Sequence, residues 1–189
     1  MKLAIAMAGA LLFLSACTAP PAGYRTPTSA ERNTSEAERL SRAAADLIDE
    51  NPAEAKRRLE EAIANDLWYG PAHNNLGVLY LKQGQLYEAA HEFEWARKLM
   101  PGHPDPRLNL GLTLERAARH EDAIAAYGSA LEVFSEHVPT MQALARLQVR
   151  VGREDPRTKH LLEEIALRGE SESWRAWARN TLLKRNASR

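Results

Sequence analysis

Small and large apolar residues recur along this chain with a period of 34. Asn-Leu-Gly at Asn75–Gly77 returns as Asn-Leu-Gly at Asn109–Gly111, and the same register aligns Ala43, Gly77, Gly111 and Ala145 as small residues. It also aligns Ala55, Ala89 and Ala123, then Ala62, Ala96 and Ala130, and it puts Leu59, Phe93, Tyr127 and Leu161 at one large position. A fixed period of this length marks a repeat architecture rather than a single packed domain. Two antiparallel helices in one unit approach closely only where the facing side chains are tiny, while the large apolar residue is expected to plug the space to the next unit. Each period therefore predicts a helical hairpin that cannot bury its core alone and must stack on its neighbours. Aromatics make up only 6% of the chain. Ala, Leu, Glu and Arg recur where strand-favouring runs would otherwise stand, so the whole body is expected to be helical.

The pattern resembles the tetratricopeptide repeat. The resemblance is carried in the unit Gly70–His103 by Leu76, Gly77, Tyr80, Ala89, Phe93, Ala96 and Pro101, and in the unit Pro104–His137 by Leu110, Gly111, Leu114, Ala123, Tyr127 and Ala130. Ser135 replaces the terminal Pro of the second unit. The flanking units are weaker. Glu36–Tyr69 matches mainly in its second helix, where Asn51-Pro52 reads as N-cap and first helical residue. Its first helix carries Arg42 and Asp46 where large apolar residues usually sit, as suits a terminal unit facing water. The unit from Val138 keeps Leu144 and Ala145 but has Arg157 and Glu164 at two small-residue positions. Asp155-Pro156 still reads as a helix start, Leu161, Leu162, Ile165 and Ala166 as an apolar face, and Gly169 as a stop. Ser171–Arg185, with Trp174, Trp177, Ala178 and Leu182 at helical spacing, reads as a solvating cap. Its tryptophans and basic residues are alternatively suited to a membrane interface. The expected fold is an all-α, right-handed α-solenoid of tetratricopeptide-type hairpins over residues 36–168, with a capping helix and tail over 169–189.

The chain's beginning follows a different rule. Met1-Lys2 is a short positive start, Leu3–Leu14 is an unbroken run of apolar or small residues, and Leu14-Ser15-Ala16-Cys17 follows. Such a run is too short to cross a hydrocarbon core and reads as a secretory signal. Leu-Ser-Ala-Cys resembles the lipobox of bacterial lipoproteins. That resemblance implies removal of residues 1–16, acylation of Cys17 and permanent attachment to a membrane. An ordinary secreted protein with an incidental Cys17 is the alternative. Thr18, where Asp would retain the protein at the inner membrane, implies the periplasmic face of the outer membrane if the host is Gram-negative. Residues 17–35, rich in Pro, Ser and Thr, read as a lipidated Cys and a disordered tether.

Charge and chemistry narrow the function. Lys+Arg and Asp+Glu are 25 each, so no global positive field attracts nucleic acid. The single Cys excludes an internal disulfide and any Cys-pair metal site. There is no phosphate loop, no GxSxG and no HExxH, since His120-Glu121-Asp122-Ala123-Ile124 lacks the second His. The six His, at 73, 91, 103, 120, 137 and 160, include no pair at the i, i+4 spacing of a helical metal site. Glu60-Glu61 and Glu163-Glu164 have basic neighbours and read as solvated faces. No enzyme, metal or cofactor is expected.

What remains is binding. The tetratricopeptide resemblance implies a concave groove lined by Asn74, Val78, Leu81 and Lys82, then Leu108, Leu112, Glu115 and Arg116, then Gln142, Arg146, Val149 and Arg150. Asn75 and Asn109 would lie at its rim, either meeting a ligand or making helix-surface hydrogen bonds. The mixture suits a peptide or helix with apolar and acidic groups. The family's carboxylate clamp is absent, because its positions hold Leu40, Ala44, Asn75, Asp105 and Asn109, and only Asn75 fits. Charge is uneven, acidic over Glu31–Asp66 and basic over Arg146–Arg189, which either orients the protein or solvates its helices. The expectation is a lipid-anchored, non-catalytic adaptor for other envelope proteins, serving an envelope machine such as a pilus or secretion apparatus, or a cell-wall enzyme. The alternatives are a receptor for a small glycan or wall fragment and a subunit whose active site a partner supplies.

Overall fold

The computed structural model describes residues 32–153 and 156–187. The signal run, Cys17, most of the predicted tether and Asp155 lie outside the described residues. The described chain is helical throughout: α1 (Thr34–Ala45), α2 (Pro52–Asn65), α3 (Gly70–Lys82), α4 (Leu86–Leu99), α5 (Asp105–Arg116), α6 (His120–Val133), α7 (Val138–Arg150), α8 (Pro156–Arg168) and α9 (Glu172–Ala187). No strand occurs among these residues.

Local chemistry sets the helix ends. Asn33 and Asn51 cap α1 and α2 by accepting the backbone N–H of Glu36 and Glu54 at 3.3 and 3.2 Å. Proline occupies the first turn of α2, α3, α5 and α7, where its missing N–H costs nothing. The turns after α3, α5 and α7 need left-handed backbone at one residue each. Gly84 (φ 76°) and Gly152 (φ 68°) supply it without strain, whereas Ala118 (φ 58°) holds the same register position with a side chain.

Consecutive helices pack as antiparallel hairpins. The odd-numbered helices α1, α3, α5 and α7 also touch one another in series, whereas the even-numbered ones make no comparable mutual contact. The odd helices therefore form the inner layer of a curved stack and the even helices fan out as the outer layer.

The repeat's small and large positions join the two layers. A methyl added to Gly77 would sit 2.7 Å from the ring of Phe93, and one on Gly111 would press still closer to the ring of Tyr127. Both rings are fully buried. The large residue thus fills space inside its own hairpin, rather than plugging the gap to the next unit. In the first and last hairpins the small position is Ala43 or Ala145, and the large one is Leu59 or Leu161. A methyl gained on the inner helix accompanies a ring lost from the outer one.

The predicted tether boundary is corrected. Arg32 to Ser35 belong to the folded body, because α1 starts at Thr34 and Arg32 reaches back to the α2–α3 loop. There the carboxylate of Asp66, whose side chain is 0% exposed, accepts Nε and Nη2 of Arg32 at 2.8 and 3.0 Å. It also accepts the Thr34 hydroxyl at 2.7 Å and the Trp68 backbone N–H at 3.0 Å. Burial by itself would raise the Asp66 pKa, but the bonds from Arg32, Thr34 and Trp68 outweigh it and hold the carboxyl below its usual range. Arg42 and Asp46 are exposed, as expected of a terminal unit.

At the other end, α8 begins at Pro156, stops before Gly169 and buries Leu161, Leu162 and Ile165. Helix α9 packs back on α8 and buries Ala178, with Trp174 and Trp177 half-buried. Among the described residues no helix is long and apolar enough to cross a membrane.

Candidate binding face

The predicted groove residues all fall on the inner layer: α3 carries Asn74–Lys82, α5 carries Leu108–Arg116 and α7 carries Gln142–Arg150. Val78, Leu108, Leu112 and Val149 are half-buried, so each offers part of an apolar surface, and the first three also rest on the core. Two residues need correction. Leu81 is buried among Ala89, Phe93, Leu110 and Ala126, because it faces the hairpin core rather than the open side. Gln142 is also buried, and its amide pairs with Glu170, donating to the carboxylate at 3.1 Å and accepting the backbone N–H at 2.9 Å. It holds the α8–α9 turn and is not part of an open wall.

The polar groups of this face are mostly spent between repeats. Asn75 Nδ2 donates to the Ser41 hydroxyl at 3.2 Å, and Asn109 Nδ2 donates to the Asn74 side-chain oxygen at 3.0 Å. Both asparagines therefore serve as stitches between successive inner helices. Arg116 donates to the Leu81 carbonyl at 2.9 Å, and Lys82 lies 2.5 Å from the Asp49 carboxylate.

The strongest charge cluster joins α5, α6 and α7. Glu115, its side chain only 8% exposed, accepts the Tyr127 hydroxyl at 2.7 Å on one oxygen. The other oxygen takes Arg146 at 3.0 Å and Arg150 at 3.1 Å. Burial, then the hydrogen bond to the Glu115 carboxylate, pushes the Tyr127 phenol far above its ordinary range, so it remains a donor at any working pH. One carboxylate faces two guanidinium groups that are each about half exposed. A net positive charge is therefore presented beside Leu108 and Leu112. These charges are legible in the sequence, but their convergence is not. The signal available was Tyr127 at a position held elsewhere by Phe93 or Leu, since a buried hydroxyl requires an acceptor.

No catalytic geometry emerges from the described residues. His73 is buried, with Nδ1 2.7 Å from Glu92, Nε2 2.9 Å from the Leu67 carbonyl and its ring stacked on Trp95 at 5.8 Å. It joins α3 to α4 and to the preceding loop. Among the described residues no group of three or more His, Cys, Asp or Glu side chains could hold a metal ion.

Hairpins stacked with an inner and an outer layer define a helical-repeat solenoid, and solved structures place it among tetratricopeptide folds. A tetratricopeptide repeat protein from Parabacteroides merdae is 18% identical with a TM-score of 0.66, over 82% of this chain and 61% of that one. The crystal structure of MamA matches at 21% identity and a TM-score of 0.61, over 68% of this chain and 77% of that one. The first tetratricopeptide domain of Spaghetti (RPAP3), solved bound to an HSP90 peptide, matches at 14% identity and a TM-score of 0.60, over 65% and 98%. No protein-family profile matches the chain. No curated protein matches it in sequence.

Proposed function

We propose that this chain is a non-catalytic adaptor, anchored by acyl groups on Cys17 in a bacterial cell envelope, that binds a partner peptide or helix on its inner layer. The partner is another envelope protein. The observation that carries this reading is the strip of half-buried Val78, Leu108, Leu112 and Val149 beside the Arg146 and Arg150 pair. Apolar side chains left partly open next to a net positive charge match a segment with both apolar and acidic groups. The likeness to a tetratricopeptide domain solved with a bound peptide supports a peptide partner. The lipid anchor is supported by Leu14-Ser15-Ala16-Cys17 after an apolar run. With Thr18 next, the reading places the protein at the periplasmic face of the outer membrane in a Gram-negative host.

Reversing Arg146 and Arg150 to Glu would surround Glu115 with like charge and disturb the fold as well as the face. Val78→Gln with Leu112→Gln adds no charge to that cluster and is the cleaner test. Crosslinking in intact cells followed by mass spectrometry of the purified protein is expected to recover a discrete partner set with the native chain and to lose it with this variant. An unchanged set would contradict use of the inner face. For the anchor, Cys17→Ala is expected to leave the membrane fraction with its helicity intact, and continued sedimentation with membranes would refute acyl attachment.

A further inference from the structure

Between the C-terminal ends of α7 and α9 the inner layer opens into a cleft of about 550 Å³. Val149 and Trp177 supply its apolar surface, Asn180 an amide, and Arg153, Lys184 and Arg185 positive charge, and no acidic residue lines it. Trp177 is held in place by an edge-on contact with Trp174, at 5.3 Å and 89° between rings. The neighbouring Thr181 hydroxyl is spent on the Trp177 carbonyl at 2.8 Å. Arg153 pairs with Glu121, a side chain that is 77% exposed, so solvent weakens the pair and an incoming anion can compete for the guanidinium.

We infer that this cleft is a binding site for a small acidic carbohydrate. The volume falls within the range of small-ligand pockets and suits one or two sugar rings. The negative face of an indole attracts the weakly positive C–H groups of a sugar ring. The Asn180 amide can both donate to and accept from ring hydroxyl or acetamido groups. A carboxylate on the ring gains a charge-assisted hydrogen bond from Arg153, within the positive field of the rim, which a neutral sugar cannot make. This inference is independent of the peptide reading, since it uses α9 and the end of α7 and needs none of Val78, Leu108 or Leu112. The repeat register offered a signal for it, because α9 begins at Glu172, 34 residues after Val138. Helix α9 thus continues the register of the inner helices as well as serving as a cap.

The test is calorimetric titration of the purified full chain with N-acetylmuramic acid and with N-acetylglucosamine, which shares the ring and lacks the lactyl carboxylate. The acid is expected to bind at least about tenfold more tightly. Asn180→Trp, at an exposed position, fills the cleft and is expected to abolish binding of both sugars without lowering the melting temperature. Arg153→Gln with Lys184→Gln is expected to bring the acid down to the affinity of the neutral sugar. Absence of binding, equal binding of the two sugars, or binding that survives Asn180→Trp would overturn the inference. So would a hexaglutamate peptide that displaces the acid from the cleft and binds more tightly. Partner crosslinking through Val78 and Leu112 is read separately, so failure of one reading leaves the other standing.

Discussion

The inner and outer layers of this solenoid spend their polar groups differently. From α3 to α7 the inner helices bond across repeats, through Asn75 to Ser41, Asn109 to Asn74, Arg116 to the Leu81 carbonyl, and Arg146 and Arg150 to Glu115. The outer helices mostly pair charges within one helix or at its start, as in Arg57 with Glu54 and Glu61, Arg97 with Glu94, and Arg119 with Asp122. Local pairs of that kind solvate a surface and are worth little individually. Cross-repeat bonds fix the spacing of successive helices and hold the inner face in one shape, which lowers the ordering cost of binding. The difference is the reason the binding face is proposed on the inner layer, with the outer layer as its support.

The largest expected effect comes from disturbing the contact between layers. Gly77→Ala should cost about 2 kcal/mol, since overpacking against Phe93 outweighs the roughly 1 kcal/mol gain in helix propensity. Phe93→Leu alone should also destabilise by about 1–2 kcal/mol through the space it leaves. Combined, they recreate the alanine and leucine pairing of the terminal hairpins, so denaturant melts should show the double variant losing at least about 1 kcal/mol less than the sum. Strict additivity would break the proposed exchange of a methyl for a ring.

Next is the buried carboxylate that ties the start of the inner layer to the α2–α3 loop. Asp66→Asn should cost about 2 kcal/mol at pH 7, because Arg32 loses its charged acceptor. The sign of the pH effect follows from the lowered pKa of Asp66. Its contribution is complete above the unfolded value near 3.8 and is lost as pH falls through the lower folded value. Thermal melts of the native chain should therefore lose this increment only below about pH 4, while those of Asp66→Asn lack it throughout.

The two layers can then be compared bond for bond. Asn109→Ala, which removes an inner stitch, should cost about 1 kcal/mol. Arg97→Ala, which removes a pair on one outer helix, should stay within about 0.5 kcal/mol. Equal losses would erase the distinction between the layers. One expected change has the opposite sign. Ala118→Gly should stabilise by about 0.5–1 kcal/mol, because it gives the middle turn the residue that Gly84 and Gly152 supply on either side.

Much of the fold was legible because the repeat writes each packing position several times. Gly77 with Phe93 and Gly111 with Tyr127 declare the hairpin by themselves, and Ala55, Ala89 and Ala123 set its phase. The start of the body was misread because Arg32 and Thr34 gain their role only from Asp66, a partner more than thirty residues away. Among candidate binding residues, the tetratricopeptide resemblance put all twelve on inner helices but could not separate those facing out from those turned in. Leu81 turns into a core built with α4, α5 and α6, and Gln142 is claimed by Glu170 in a turn beyond the repeat. The convergence of Tyr127, Arg146 and Arg150 on Glu115 depends on three helices meeting, which no local pattern encodes. The α7–α9 cleft was hidden by reading α9 as a cap or as a membrane-interface helix.

The most direct test of the central claim places a photocrosslinking residue, p-benzoylphenylalanine, at Leu112 on the inner layer and, in a separate chain, at Ala125 on the outer layer. Illumination of intact cells is expected to link a discrete partner from position 112 and none of that partner from position 125. The same partner captured from position 125 alone, or equally from both, would contradict an adaptor that works through its inner face.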